Sequence, residues 1–153
     1  MNDWYNVSLS NSIILFLVWT LVLYWIHRLA HKSKLLMRFH GDHHKYVNLH
    51  GTSWKLNNLL LFNDNWKSTI DLWITEVIPT ILFSWIFNVW WIFIFYWAWA
   101  ALIQEIVEHH PRINISLWSS GRWHLQHHKN PTVNFGLYFT IWDHIFKTNR
   151  SVQ

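Results

Sequence analysis

The feature that most constrains the fold is the separation of long apolar runs from the basic residues. Residues 9–26 form an uncharged, mostly apolar run of 18 residues. As a helix it would extend about 27 Å, close to the roughly 30 Å hydrocarbon core of a bilayer. Residues 70–107 form a second apolar region, too long for one crossing and barely long enough for two. We predict a membrane helix over 9–26 and a helical hairpin over 70–107 that turns near Asn88, giving about three crossings.

The basic residues indicate how such a chain is oriented. All 12 Lys and Arg residues lie in two windows, 28–67 and 112–150, and none lies between residues 68 and 111. Because basic loops stay on the cytoplasmic side of membranes, both windows are predicted to be cytoplasmic and the N-terminus to lie outside. The first residues carry neither a basic region nor a small-residue cleavage site, so we interpret 9–26 as a retained helix rather than a signal peptide.

Composition narrows the possible chemistry. The chain has 12 His but no Cys, which excludes thiolate metal sites and a cysteine nucleophile. Its net charge of +4 is not organised into a recognised nucleic-acid-binding motif, so no nucleic-acid partner is predicted. The expected architecture is a single all-α domain over residues 1–153. It is an integral-membrane helical bundle with a cytoplasmic, histidine-rich helical cap.

The histidines are grouped at helical spacing. One H-x-x-x-H box directly follows the first apolar run, and two H-x-x-H-H boxes lie about 84 residues apart, the second after the apolar hairpin. Positions i, i+3 and i+4 share one face of a helix, so the rings of each box point the same way. With one further histidine at the cytoplasmic end of the hairpin, the predicted set is His27, His31, His40, His43, His44, His109, His124, His127 and His128.

Nine imidazoles on one side of a membrane predict a metal centre. Neutral imidazole is the commonest protein ligand for transition metals, and nine exceed what one ion can hold but suit two. Clustered ionisable groups beside membrane spans are costly and by default functional. An isolated histidine is more often a hydrogen-bonded or interfacial residue, which is our interpretation of His50, His144 and, for the most part, His110.

These residues resemble the fatty acid hydroxylase and sterol desaturase superfamily of integral-membrane enzymes, over residues 27–148. The three boxes are similar to the histidine boxes of that family, and His109 to a single histidine that precedes the last box. The segment from Trp123 to His128, with Asn134-Phe135-Gly136 and Trp142-Asp143 after it, closely resembles the family's C-terminal signature. The chain is short for such a family, and it carries no fused haem or iron–sulfur motif.

The resemblance implies a non-haem di-iron centre held by the nine histidines. It implies oxidation of an unactivated C–H bond of a fatty acyl chain, sphingoid base or sterol, with O2 as co-substrate. Electrons would come from an external donor, a separate electron-transfer protein. Asp42, Glu108 and Asp143 are candidates to accept the outer N–H of a ligand ring, and Asn134 to orient a ring of the last box. Glu105, one turn before His109, is either a carboxylate ligand or such an outer partner.

Two alternatives remain at this stage. The histidines of a carrier, sensor or structural protein would bind metal without oxidative catalysis, although a carrier needs polar sites along an intramembrane path. On the same scaffold, desaturation, ketone formation or aldehyde deformylation would use the same residues as hydroxylation. The residues alone do not determine whether the metal is iron or zinc. They do not identify the redox partner either.

Overall fold

The computed structural model describes residues 8–46, 55–63 and 65–150, and across these residues the chain is helical without a β-strand. The expected all-α fold is therefore confirmed. The principal helices are α1 (Leu9–Lys32), α2 (Met37–Tyr46), α3 (Trp66–Ile86), α4 (Trp90–Gln104), α5 (Arg122–Lys129) and α6 (Ile141–Ile145). A 3-10 turn covers Leu56–Leu60, and a short turn of helix, Glu105–Val107, directly continues α4.

Helix α1 carries both the packing face and the first histidines. It begins after Ser8, whose side chain accepts a hydrogen bond from the backbone N–H of Asn11. Trp19, Leu23 and His27 are buried at intervals of four residues and so form one stripe along the helix. Packing of the apolar part of this stripe therefore fixes where its histidine end lies.

Helices α3 and α4 form the expected hairpin, with its turn at residues 87–89. Asn88 adopts the left-handed conformation there (φ 53°), which asparagine tolerates better than most residues. The hairpin packs against α1, and the indole N–H of Trp19 donates to the hydroxyl of Thr80 at 3.0 Å. The core joining these helices includes Trp19, Leu23, Val77, Phe83, Ile92 and Tyr96.

Each arm of the hairpin contains a π-helical segment, a widened turn in which each backbone hydrogen bond spans one residue more than in an α-helix. The segments are Trp73–Val77 in α3 and Ala100–Gln104 at the end of α4. Such widened turns are rare and frequently accompany functional sites. Here they lie on the two arms that border the histidine boxes.

Much of the outer surface is apolar. Ile14, Trp85 and Ile94 on α1, α3 and α4 are each more than half exposed, and a continuous exposed apolar surface marks an interaction with a membrane or partner. Two helices, Leu9–Lys32 and Trp66–Ile86, are long and apolar enough to cross a bilayer, whereas Trp90–Gln104 is shorter. Of the three crossings expected, two are therefore candidates by length and the third falls short.

Candidate metal centre

The nine predicted histidines meet in two groups. They come from α1, α2, α5 and the turn that follows Glu105–Val107. The five-histidine group contains His27, His31, His40, His44 and His127, and the four-histidine group contains His43, His109, His124 and His128. Within each group the potential ligand nitrogens all lie within 4.8 Å of one another.

In the five-histidine group the rings point their Nε2 atoms at a common centre. Nε2 of His31 lies 2.9 Å from Nε2 of His127, 2.9 Å from that of His40 and 3.3 Å from that of His27. Nε2 of His44 lies 3.2 Å from that of His40. Nitrogens bound at about 2.1 Å to one ion are about 3 Å apart when they meet at a right angle, so this spacing suits shared coordination.

The ring nitrogens that face away from the centre establish which ring atoms carry the protons. Nδ1 of His27 donates to the carbonyl of Phe135 at 2.8 Å, and Nδ1 of His127 donates to the carbonyl of Val133 at 2.7 Å. The Nε2 atoms of these neutral rings therefore present lone pairs to the centre.

Those lone pairs cannot all be satisfied by hydrogen bonds. Nε2 of His31 faces three other Nε2 atoms. A neutral His31 ring has only one N–H proton, which can lie between at most one of these three pairs. At least two close nitrogen pairs are left without a proton between them, which is repulsive in a buried site. A cation at the centre removes the repulsion, and the chemistry of this donor set therefore fits a transition-metal ion.

The four-histidine group has the same inward arrangement but different surroundings. Nε2 of His128 lies 2.9 Å from that of His124 and 3.2 Å from that of His109. The Nδ1 atoms of these three rings are buried and have no hydrogen-bond partner within the described residues. This group is therefore held by packing more than by outer hydrogen bonds.

Burial keeps the cap histidines neutral. It lowers the pKa of His40 to about 2, of His109 to about 3 and of His44 to about 4, all from an ordinary value of 6.5. The neighbouring rings add to the effect, because a second positive ring nearby disfavours the first. The pKa values of His124 and His127 are also lowered well below 6.5 by desolvation. Neutral rings are the form that binds metal.

We expect the metal-free protein to lose stability as the pH falls below 6.5, the ordinary histidine pKa. The unfolded chain then takes up protons that the buried rings refuse, so the stability present above 6.5 declines progressively toward the folded pKa values. Denaturation measured from about pH 7.5 to about pH 3.5 checks this. A decline beginning only near pH 4 would instead implicate carboxylates.

Asp71 is a functional residue that the sequence analysis did not identify. Its Oδ2 atom accepts a hydrogen bond from Nδ1 of His40 at 2.9 Å, and both side chains are buried. Such a carboxylate fixes the ring and increases its basicity as a ligand. In the sequence, Asp71 appears only as a single carboxylate at the start of the apolar region 70–107.

Replacing Asp71 with Ala is therefore expected to weaken metal binding about 10- to 100-fold, because His40 loses its outer partner. Competition with a chelator of known affinity measures this. Asp42→Ala is the matched control, since Asp42 lies on α2 beside the same histidines but pairs with Lys67 at 3.1 Å. Equal affinities for the two variants would contradict the role given to Asp71.

The predicted outer partners occupy other positions. Within the described residues, Asp42, Asn134 and Asp143 make no hydrogen bond to a histidine ring. Asp143 instead accepts from the backbone N–H groups of Phe135 (2.7 Å) and Gly136 (2.9 Å). It thus holds the loop whose carbonyls accept from His27 and His127. The side chain of Glu105 lies outside what the structure describes.

Asn134 supports the same loop by another route. Its side-chain Oδ1 accepts from the backbone N–H of Arg150 at 2.7 Å, and its Nδ2 donates to the carbonyl of Arg150 at 3.2 Å. Asn134 is fully buried and left-handed (φ 56°). Asn134 and Asp143 are therefore positioning residues for the carbonyls on either side of Asn134.

Two of the three remaining histidines, His110 and His144, lie apart from the two groups. Nδ1 of His110 accepts from the backbone N–H of Arg112 at 3.2 Å, and His144 is an exposed ring 5.9 Å from the Trp123 ring. His50 falls outside the described residues. The positions of His110 and His144 agree with their interpretation as hydrogen-bonded or surface residues.

A narrow polar cavity adjoins both groups. It has a volume of about 40 Å³, room for a few water-sized molecules, and reaches His27, His40, His43 and His124. Thr75 and Glu76 from one π-helical segment and Ala100 and Gln104 from the other contribute to its walls. The two widened turns therefore line the space next to the histidines.

Comparison with known proteins places this architecture in a family. No curated protein and no solved structure matches the chain significantly. The family model described as fatty acid hydroxylase matches residues 12–148, nearly the whole chain. Together with two candidate spanning helices, this match indicates a membrane protein. The chain belongs to the fatty acid hydroxylase family, within the fatty acid hydroxylase and sterol desaturase superfamily.

Proposed function

We propose that this protein is a membrane-bound, non-haem di-iron oxygenase that hydroxylates or desaturates a C–H bond of a lipid. Family membership supports an O2-dependent oxidation of lipid. The observation that carries the metal assignment is the convergence of Nε2 lone pairs at His31, whose mutual repulsion a bound metal ion would remove. The lipid is a fatty acyl chain, a sphingoid base or a sterol.

Each group of histidines would hold one ion. The five-histidine group would bind the first and the four-histidine group the second. When bound, the iron pair supplies the activation of O2 and the oxidation of an unreactive C–H bond, with electrons from a separate electron-transfer protein.

The chain's own contribution is positioning and exclusion of water. The carbonyls of Val133 and Phe135 hold His127 and His27 by their outer nitrogens, so that their Nε2 atoms face the centre. His27 and His127 are at most 2% exposed, so bulk water has little access to this side. A dry, fixed donor set favours oxidation of substrate over unproductive release of reactive oxygen species.

The membrane supplies the substrate in this proposal. An apolar groove of about 630 Å³ runs along the outer surface between α1, α4 and the C-terminal segment, where Phe16, Phe95 and Phe139 line it. We place the histidine boxes on the cytoplasmic side and the N-terminus outside, because the basic windows flank the boxes. A lipid tail in this groove would then lie along the N-terminal half of α1, whose C-terminal end carries His27 and His31.

The test combines metal analysis of purified protein with product analysis of cellular lipids. We expect two irons per chain, one for each histidine group, and a hydroxylated or desaturated lipid that depends on O2. A His31→Ala/His128→Ala double variant, which removes a ring from each group, is the matched inactive control. Stoichiometric zinc with no O2 consumption would instead favour a metal-binding protein without oxidative catalysis.

A further inference from the structure

The two histidine groups are unequal. One offers five imidazoles and the other four, although both converge with similar nitrogen separations. Two buried divalent ions also carry four positive charges, which nine neutral imidazoles do not offset. A buried charge requires compensation nearby. An anionic donor beside the smaller group would supply both a fifth ligand and negative charge.

Glu108 lies beside one ring of the smaller group. Its Oε1 atom is 3.7 Å from Nε2 of His124, the same nitrogen that faces His128 at 2.9 Å. The sequence predicts that Glu108 accepts a hydrogen bond from the outer N–H of a ligand ring. The outer nitrogen of His124, Nδ1, has no hydrogen-bond partner among the described residues. The carboxylate therefore approaches His124 from its Nε2 side, the side on which this ring meets His128.

The carboxylate is held in this orientation. Nε2 of Gln104 donates to Oε2 of Glu108 at 3.1 Å, which turns Oε1 toward His124. The backbone of Glu108 is bonded on both sides, with its N–H donating to the carbonyl of Gln104 and its carbonyl accepting from the N–H of Gly121, each at 2.8 Å. Only 7% of Glu108 is exposed. Gln104 belongs to the π-helical segment, so the widened turn contributes to this arrangement.

The distance suits a shared ion. Two donors each about 2.1 Å from an ion are about 3.6 Å apart when they subtend 120°. The observed 3.7 Å between Oε1 and Nε2 of His124 is close to that separation.

We propose that Glu108 is the fifth ligand of the four-histidine site, an inference that rests on the proposed metal centre. The two ions then have different donor sets: five neutral imidazoles at one site, and four imidazoles with one carboxylate at the other. The carboxylate, a harder and negatively charged donor, stabilises the higher oxidation state of its ion. The iron at this site is therefore the more easily oxidised of the pair.

The experiment compares three full-length proteins loaded with ⁵⁷Fe(II): wild type, Glu108→Gln and Asp42→Asn. Glutamine keeps the shape of the Glu108 side chain and the contact with Gln104 but removes the anionic donor. Asp42→Asn is the matched control, because it removes a carboxylate next to His43 in the chain whose Oδ2 pairs with Lys67 at 3.1 Å rather than with a histidine ring. Iron content, chelator competition and Mössbauer spectra are measured without turnover, and thermal denaturation establishes that each variant is folded.

In the wild type and in Asp42→Asn we expect two unequal ferrous signals of equal intensity. In Glu108→Gln one signal should persist, while the other weakens or shifts as affinity for one ion falls at least about 10-fold. Unchanged affinity and spectra in Glu108→Gln would overturn the inference, even with lipid oxidation established. Should Glu108→Gln fail to fold, Glu108→His provides the second variant: a neutral fifth donor should retain two ions but make their signals more alike. Two unequal signals identical to wild type in that variant would also overturn it.

Discussion

A His127→Ala variant is expected to lose the ion of the five-histidine group and, with it, essentially all lipid oxidation. His127 is fully buried, and its Nε2 lies 2.9 Å from that of His31. Removing the ring deletes one donor. It also leaves a space through which water can reach the other donors. Because loss of an outer partner alone weakens metal binding about 10- to 100-fold, loss of a ligand should exceed that range.

The measurement is iron content and oxidised-lipid yield, with His144→Ala as the matched control. His144 is an exposed ring on α6 and lies in neither histidine group, so its removal should leave both quantities unchanged. Added imidazole should partly restore iron to the His127→Ala protein by filling the vacated position. Full metal content and turnover in His127→Ala would remove the ligand assignment of the five-histidine group.

The second large effect is expected from Asp143→Ala, which should destabilise the protein by roughly 3–5 kcal/mol. Asp143 is fully buried, and its carboxylate accepts from the N–H groups of Phe135 and Gly136 and from the hydroxyl of Thr148 at 2.7 Å. Alanine leaves the two buried backbone N–H groups without an acceptor, while the Thr148 hydroxyl keeps its hydrogen bond with Tyr24. It also frees the loop whose carbonyls hold His27 and His127, so metal affinity should decline with stability.

Thermal denaturation of the metal-free protein separates the structural effect from metal binding. For a chain of this size the melting temperature should fall by roughly 6–20 °C. Asp143→Asn retains one acceptor oxygen in nearly the same volume and should lose less than half as much. An unchanged melting temperature in Asp143→Ala would show that water or another group replaces the carboxylate.

The residues that local spacing could identify are those that share a helix face. The boxes at i, i+3 and i+4 predicted that the nine rings come together, and in the structure they do, although each H-x-x-H-H box is divided between the two groups. The apolar run before His27 likewise predicted a helix, and α1 extends through it without interruption. These predictions hold because helical periodicity acts over a few residues and needs no knowledge of the rest of the chain.

The outer contacts could not be predicted in the same way. Asp71 lies 31 residues from the ring it holds, and Phe135 lies 108 residues from His27. Two of the three outer acceptors described for the five-histidine group are backbone carbonyls, which carry no sequence signature. Asp143 was predicted to accept from a ligand ring, but its carboxylate accepts from backbone N–H groups instead.

The sequence by itself determined the helical class, the hairpin near Asn88 and the set of histidines, because apolar length and ring spacing are local properties. Only the tertiary structure decided that His43 separates from His40 and His44, and that Glu108 comes within 3.7 Å of Nε2 of His124. The reason is physical: neighbouring rings on a helix differ in direction by 100° per residue, so the packing of α1, α2 and α5 determines which centre each one reaches.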